Sequence, residues 1–369
     1  MKICYITSVR LPTERPHGYA VVKLCEAFAA NGNDVTLVSP SKTSARGDDV
    51  FTCYGISRTF VHHRVATTDL VYWERLGGAL SYWLDFLFFA VRMWIEQRAR
   101  LREADIIYVR EPYLTVFLPR AKTILELHTL PAQTMVMKRI LRRVKRLNAT
   151  SRGLASDIVA FSGRSDIIVI PNAVDLKRFD NLPDQRSARA QLGLPDKPLV
   201  LYTGNFYPWK GVDTLADAAP FLKDITVVLV GGTDEYDHQR IAKKAESAPN
   251  LIVRRFEAPE RMPIYLAAAD VLVIPNAKGT AISERYTSPL KLFEYMAAEK
   301  PIVASDLPSL REIFDEGTAI FFEPDSVQSL ASAIRRALKP EAALLGTRAH
   351  ERARVYSWEA RAQAAIGNL

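Results

Sequence analysis

Apolar residues along this chain fall into short runs separated by segments long enough for a crossover helix, and that rhythm predicts α/β structure with largely parallel sheets. In the first half the pattern reads as a strand Lys2–Thr7, a loop containing His17 and Gly18, a helix through Lys23–Ala30 and a second strand Asp34–Ser39. Further strands are expected at Ile106–Arg110, Thr123–His128, Asp157–Phe161 and Ile167–Ile170. The segment PNAVDLKRFD then reads as an interdomain connection. After the polar stretch Asp180–Arg189 the rhythm restarts, with strands at Leu199–Tyr202, Ile225–Gly231, Leu251–Phe256, Val271–Pro275, Pro301–Ser305 and Ala319–Phe322. Two successive parallel domains, 1–176 and 177–355, would set the C-terminal ends of their strands, and so their binding loops, on either side of a cleft.

One apolar stretch breaks this pattern. Leu76 to Ile95 is long enough to suggest a membrane, but Asp85 and Arg92 interrupt it, which argues against a spanning helix and for a buried or membrane-facing surface helix. Its aromatic part, Tyr82–Trp94, suits either an interfacial surface or a core.

Charge sharpens the division into halves. The 369 residues carry a net charge of +8. Residues 1–185 hold 26 Lys and Arg against 18 Asp and Glu, whereas residues 186–369 hold 23 of each. Part of that excess is the run Lys138, Arg139, Arg142, Arg143, Lys145 and Arg146, with Ile140, Leu141 and Val144 at helical spacing. This predicts a basic amphipathic helix. Beside an anionic leaflet six cations contribute on the order of several kcal/mol, at about 1 kcal/mol each, enough for peripheral docking; a solvated surface helix fits the same pattern. No nucleic-acid recognition module accompanies the basic half. Cys4, Cys25 and Cys53 show neither paired spacing nor a histidine neighbour, so a reducing cytosol is expected, with no disulfide framework or zinc site. MKICYITSV reads as a buried strand and not as a secretion signal.

Two stretches of the second half carry chemistry. In Thr287-Ser288-Pro289-Leu290-Lys291-Leu292-Phe293-Glu294, Ser288 reads as an N-cap and Pro289 as the first helical residue. The free amides of Leu290 and Lys291 would then face a phosphate. A cation in the first turn of a helix is mildly unfavourable, by roughly 0.3–1 kcal/mol, so Lys291 makes sense beside a bound anion; a solvated lysine is the plainer alternative. Glu294, further along an apolar stretch, suits ribose hydroxyls or an internal salt bridge. In Tyr202-Thr203-Gly204-Asn205-Phe206-Tyr207-Pro208-Trp209-Lys210-Gly211, Gly204 permits close backbone approach at a strand end. Lys210 could there neutralise charge on a departing diphosphate, or simply be an exposed lysine.

Together, GNFYPWKG, PNAVD, AADVLVIP and SPLKLFEYMAAEKPIVASDLP resemble the retaining glycosyltransferase family 4, and the likeness extends from PHGYAVVKLCEAFAANGNDVTLVSP to YSW at 356–358. The resemblance implies a GT-B fold, two Rossmann-like parallel-sheet domains facing across a cleft, with a closing helix over about 356–369 packed back on the N-terminal domain. It implies a donor site formed by Gly18, Gly204, Asn205, Lys210, Ser288, Pro289, Leu290, Lys291 and Glu294, with His128 near the transferring sugar and His17 on the acceptor side. Two positions depart from the family pattern. Of its paired glutamates the second matches Glu294 and the first falls on Tyr286; of its Arg and Lys five residues apart, Lys210 matches and Asn205 replaces the arginine. Lys291 is positioned to restore that missing charge.

The implied reaction moves a sugar, with retention, from a nucleoside diphosphate sugar to a glycan or lipid-linked acceptor, with His128 and Lys210 as catalytic residues and peripheral contact with an anionic membrane. No cofactor or metal is expected, because helix N-termini and basic side chains serve the leaving group in this fold. A sugar-nucleotide epimerase and an inactive nucleotide-sugar-binding subunit are the alternatives. A nicotinamide dehydrogenase is excluded by SVRLPTERPHG, which lacks the GxGxxG turn.

Overall fold

The computed structural model describes all residues except 14, 43–46, 48, 69–78, 368 and 369. The chain forms two compact units: unit 1 comprises Met1–Thr150, Leu154–Pro171 and the residues from Trp358 onward, and unit 2 comprises Ser151–Gly153 and Asn172–Ser357.

Unit 1 is built on seven parallel strands: β1 (Lys2–Ile6), β2 (Asp34–Ser41), β3 (Val61–Ala66), β4 (Ile106–Val109), β5 (Thr123–Leu127), β6 (Arg146–Ala149) and β7 (Ile167–Val169). Their order in the sheet is β3-β2-β1-β4-β5-β6-β7. Its α-helices are α1 (Pro16–Ala30), α2 (Val50–Tyr54), α3 (Ala79–Glu96), α4 (Arg98–Glu103), α5 (Met135–Arg143) and α6 (Arg152–Ser162). The central strands are buried throughout except at Lys2, as expected where helices cover both faces of a parallel sheet.

Several expectations need correction here. The run Asp157–Phe161 is not a strand; it lies within α6, whose Leu154, Ala155, Ile158 and Ser162 are buried at helical spacing. The strand in that part of the sheet is β6, whose sequence RLNA is too polar to stand out, and β3, VHHRVA, was hidden for the same reason. His17 and Gly18 are not in a loop, because α1 starts at Pro16. Pro at the first turn suits a helix start, where its missing N–H is no loss. Gly18 is also sterically required: a Cβ there would lie 2.4 Å from both the Tyr54 hydroxyl and Thr13 Cγ2. The basic segment divides as well. Lys138, Arg139, Arg142 and Arg143 lie in α5, Lys145 follows it, and Arg146 opens β6.

Unit 2 repeats the plan with β8 (Leu199–Gly204), β9 (Thr226–Gly231), β10 (Leu251–Arg254), β11 (Val271–Ile274), β12 (Ile302–Ser305) and β13 (Ile320–Phe322), in the order β10-β9-β8-β11-β12-β13, all parallel. All six strands fall where the apolar runs place them. Its α-helices are α7 (Gln185–Leu192), α8 (Val212–Ala218), α9 (Glu235–Ala245), α10 (Met262–Ala268), α11 (Leu290–Ala297), α12 (Pro308–Arg311), α13 (Val327–Ala337) and α14 (Ala343–Ala353). The strand order reverses between β1 and β4 in unit 1 and between β8 and β11 in unit 2, and such switch points are where open α/β sheets bind ligands. At the second of these Gly211, with φ +66°, is indispensable, since a Cβ there would lie 1.8 Å from the Pro275 carbonyl oxygen.

The chain ends with α15 (Trp358–Ile366), which belongs to unit 1. Its Arg361, almost fully buried, donates to Glu126 Oε2 at 2.8 Å, and Asn148 Nδ2 on β6 donates to the Ala365 carbonyl at 3.1 Å. Breaking a buried ion pair from one side strands the other charge. Arg361→Ala should therefore lower the stability of unit 1 by about 3–5 kcal/mol in chemical denaturation. Arg335→Ala, which removes an exposed pair with Asp224, should leave the midpoint unchanged.

Candidate functional site

In unit 2 the segments that follow β8 and β11 meet. Strand β8 ends at Thr203 and Gly204, and Thr203 N donates to Tyr295 Oη on α11 at 2.8 Å, fixing that helix against the strand. The preceding Tyr202 donates its hydroxyl to the Asn205 carbonyl at 2.7 Å, and its ring lies under Lys291, whose Nζ is 3.5 Å from the ring centroid. Lys291 is 8% exposed, and its ammonium has no hydrogen-bond acceptor. Lys210, at the end of the 3₁₀ turn Pro208–Lys210, is half-buried with Nζ 3.9 Å from the Trp209 ring centroid.

A tyrosine face offsets only a fraction of the hydration an ammonium loses. Burial and the charge of Lys210 accordingly push Lys291 well below its ordinary pKa, and burial pushes Lys210 down to about 7. Near them Asn276, fully buried after β11, leaves both its amide nitrogen and its amide oxygen unpartnered. The arrangement holds two lysines close, and among the described residues Lys291 Nζ has no hydrogen-bond acceptor.

The neighbouring expectations are met unevenly. Helix α11 begins at Leu290, with Pro289 at the N-cap and no side chain capping it. Ser288 is not the cap, because its hydroxyl accepts from the Asn172 amide at 3.0 Å, while Asn172 Nδ2 donates to the Ser288 carbonyl. The amides of Leu290 and Lys291 still lie in the first turn, where helix geometry gives them no internal acceptor. Glu294, one turn on, accepts from Arg178 Nη1 at 3.1 Å, and that arginine also donates to the Pro259 carbonyl. The Asn205 side chain accepts from Thr233 N and Thr233 Oγ1 at 3.3 and 2.8 Å, so it adds no positive charge. Tyr286 is buried at the end of a π-helical turn, Ile282–Tyr286.

Unit 1 assembles a different cluster at its own switch point. His128 follows β5, Arg110 follows β4, and His17 sits in the first turn of α1. At their centre is Glu126, 2% exposed. Tyr108 Oη and Arg361 Nη2 donate to Glu126 Oε2 at 2.5 and 2.8 Å, His128 Nε2 lies 2.7 Å from Oε1, and Arg110 Nε lies 3.9 Å from Oε1. Burial pushes the Glu126 carboxyl up, but Arg361, His128 and Arg110 outweigh it and hold the group ionised. Burial and Arg110 push His128 down to about 4, against the pull of Glu126, and His17 down to about 4 as well, with Arg15 adding to the effect. Neutral His128 therefore donates Nε2–H to the carboxylate and keeps a lone pair on Nδ1.

Sequence reasoning named His128 but not Glu126, though the spacing of two residues on one strand puts both on one face. It also missed Tyr202, Asn276 and Arg178, for which no local signal existed. Among the described residues no group of His, Cys, Asp and Glu is arranged to hold a metal ion.

Two family models match the chain, "Glycosyltransferase Family 4" over residues 18–178 and "Glycosyl transferases group 1" over residues 197–340. The chain belongs to this glycosyltransferase family. It is 28% identical over 226 residues to a D-inositol 3-phosphate glycosyltransferase of Kineococcus radiotolerans, covering 54% of this chain and 50% of that protein. It is 29% identical over 184 residues to an alpha-galactosylglucosyldiacylglycerol synthase of Streptococcus pneumoniae, covering 47% of each. The chain thus spans about half the length of the curated relatives it matches. Solved structures show the fold over the whole chain. A sucrose-phosphate synthase from Thermosynechococcus elongatus superposes with TM-score 0.76 at 22% identity, covering 98% of this chain and 96% of the other. Anabaena Alr3699/HepE in complex with UDP-glucose superposes with TM-score 0.74 at 18% identity, covering 99% and 98%. The shared architecture is the GT-B pair of Rossmann-like units that the family uses.

A diphosphate placed against Lys210 and Lys291 would raise both pKa values toward the ordinary lysine range, so binding takes up protons where the free lysines are neutral. Titration calorimetry with UDP in buffers of different ionisation enthalpy should show net proton uptake that grows as the pH rises from about 6 to about 8, through the pKa of Lys210. Lys291→Met should weaken UDP binding at least tenfold and reduce that uptake.

Proposed function

We propose that this chain is a retaining glycosyltransferase that moves a sugar from a nucleoside diphosphate sugar to a hydroxyl of a glycan or lipid-linked acceptor, in cell-surface polysaccharide or glycolipid biosynthesis. The observation that carries this reading is the buried ammonium of Lys291, without an acceptor and beside the second lysine, Lys210, at the β8–β11 switch point.

Cleavage of the bond between sugar and diphosphate puts charge on the leaving oxygens. Groups already oriented toward that charge lower the barrier without reorganising. Lys210, Lys291 and the amides of Leu290 and Lys291 take that role. Lys291 supplies in this chain the positive charge that Asn205 does not. Glu294, oriented by Arg178, receives the ribose hydroxyls, and Gly18, Gly204, Asn205, Ser288 and Pro289 complete the donor contacts carried over from the family pattern. On the unit 1 side His128, held neutral by burial and oriented by Glu126, positions the sugar, and His17 lines the acceptor side. With this much fixed positive charge for the diphosphate, we infer that transfer needs no metal ion.

The names of relatives support the choice of substrates. One relative is an alpha-galactosylglucosyldiacylglycerol synthase, and one structural neighbour was solved with UDP-glucose. We also infer a cytoplasmic location with peripheral contact at an anionic membrane. Cys4, Cys25 and Cys53 are free thiols, which suits a reducing compartment. Among the described residues no helix is long and apolar enough to cross a membrane. Of the cations first taken for docking, Arg139, Arg142 and Lys145 are exposed, whereas Lys138, Arg143 and Arg146 are half-buried. The apolar side of α5, Met137, Ile140 and Leu141, is buried within unit 1, so this helix offers a membrane charge and not insertion.

The test is turnover of UDP-, GDP- and ADP-sugars with membrane lipid extract, followed as nucleoside diphosphate release and sugar incorporation, with and without EDTA. Incorporation with retained anomeric configuration and insensitivity to EDTA is expected. Lys210→Ala and Lys291→Met should lower kcat by on the order of 10²–10³. Tight nucleotide binding with no incorporation across all acceptors would identify a binding subunit instead, and interconversion of the donor sugar without an acceptor would identify an epimerase.

A further inference from the structure

Helix α3 is apolar on two faces: Phe89, Ala90 and Met93 are buried, and a second apolar stripe faces outward. Its inward residues include Ser81 and Asp85, 4% and 6% exposed, with the Asp85 carboxylate paired to Lys42 and accepting from Thr68. Its outward residues are Leu80, Trp83, Leu84, Leu87, Phe88, Val91, Trp94 and Ile95, each between 40% and 67% exposed except Val91 at 39%. At 100° per residue these eight fall on one stripe along the helix, and no charged side chain interrupts it. Tyr82 is exposed beside them, so nine of the large exposed apolar side chains among the described residues belong to this one helix.

The surface does not end with the helix. The 3₁₀ turn Pro112–Phe117 packs against both α3 and α5, with the Tyr113 and Trp83 rings 4.9 Å apart between centroids. On that turn Val116 is exposed, and in the first turn of α5 Met135 and Val136 are 69% and 58% exposed. A contiguous patch of this kind marks a surface that meets something other than water.

The charges around the patch identify what it meets. Directly after α3, α4 exposes Arg98, Arg100 and Arg102, and the Arg98 guanidinium lies 5.9 Å from the ring centroid of Trp94 on the stripe. Arg139 and Arg142 are exposed on α5. An apolar stripe with aromatic side chains near its ends and a cationic border complements an anionic lipid surface.

We propose that α3 lies in the plane of an anionic bilayer, its Leu80-to-Ile95 stripe sunk among the acyl chains and the arginines of α4 and α5 on the lipid phosphates. This deepens the membrane contact inferred above and does not depend on donor chemistry. It moves the inserted element from the basic helix α5 to the helix that carries the apolar stripe, whose exposed charges Arg92 and Glu96 pair with each other outside that stripe.

Flotation of the purified chain with vesicles of phosphatidylcholine alone, and of phosphatidylcholine with phosphatidylglycerol, tests it. The chain should partition onto the anionic vesicles at least tenfold more than onto the neutral ones. The double variant Leu84→Asp with Val91→Asp, at two exposed positions, should lose that binding at least tenfold while keeping its UDP affinity and unfolding midpoint. The triple variant Arg98→Gln, Arg100→Gln and Arg102→Gln should flatten the salt dependence of binding. Equal partition onto both vesicle types, or undiminished binding by the aspartate variant, would overturn the proposal. So would a dimer in sedimentation equilibrium that the aspartates split, found together with absent vesicle binding. UDP titration of the same samples reports on the donor site separately, so failure at the membrane leaves the transferase reading standing and the reverse also holds.

Discussion

An ammonium taken out of water needs an acceptor, and Lys291 Nζ has none among the described residues. The local structure of unit 2 is organised to hold it there nonetheless. Tyr202 at the end of β8 provides the ring beneath it, Tyr295 ties α11 to β8 through Thr203, and Gly211 lets the loop carrying Lys210 run against the Pro275 carbonyl. Each of these contacts fixes backbone at the switch point of a parallel sheet, where two crossovers leave in opposite directions and open a crevice. Burial costs the ammonium its hydration, which is why its pKa lies well below the ordinary value, and in the reading proposed above a diphosphate entering the crevice would recover that cost.

Unit 1 has the same strand order and the opposite electrostatics. Its buried charge, Glu126, is compensated in full by Arg361, Tyr108 and His128. The carboxylate joins β4, β5 and the last helix of the chain, so the C-terminal segment is part of the scaffold that orients His128. Burial and Arg110 keep the imidazole neutral against the pull of Glu126, and the bond from Nε2 to the carboxylate aims it. One sheet topology therefore supports a paired buried carboxylate in one unit and two close lysines with a buried, acceptor-free Nζ in the other, the difference lying in the side chains at the strand ends.

Legibility followed the same division. All six strands of unit 2 could be read because runs such as VLVI and TVVLVG are apolar on both faces. In unit 1 the apolar group DIVAF was misread as a strand, although Leu154, Ala155, Ile158 and Ser162 carry the helical period, and RLNA and VHHRVA escaped notice because half their positions are polar. Within the site Lys291 was legible, since a cation in the first turn of a helix asks for an explanation. Ser288 was given the cap that it does not make, because its hydroxyl bonds to Asn172, a partner 116 residues away. Arg178 as the partner of Glu294, and Asn276 as a buried unpaired amide, depend on tertiary proximity that no local pattern encodes.

The two helices considered for a membrane make the same point about faces. The run KRILRR has the period of an amphipathic surface helix, and in isolation its apolar side could face lipid; in the fold Met137, Ile140 and Leu141 are consumed by the core, and the helix exposes Arg139 and Arg142 together with Met135 and Val136 in its first turn. The stretch ALSYWLDFLFFAVRMWIE has its few polar residues on one side, which in a soluble helix would be the solvent side. Here Asp85 is turned inward to Lys42 while Phe89, Ala90 and Met93 pack into the core, and this inward face leaves the other apolar stripe outside. Periodicity gives the width and direction of an apolar stripe, but which way it faces is decided by the packing and polar partners the rest of the fold offers, and in α3 these take Asp85 and one apolar face inward.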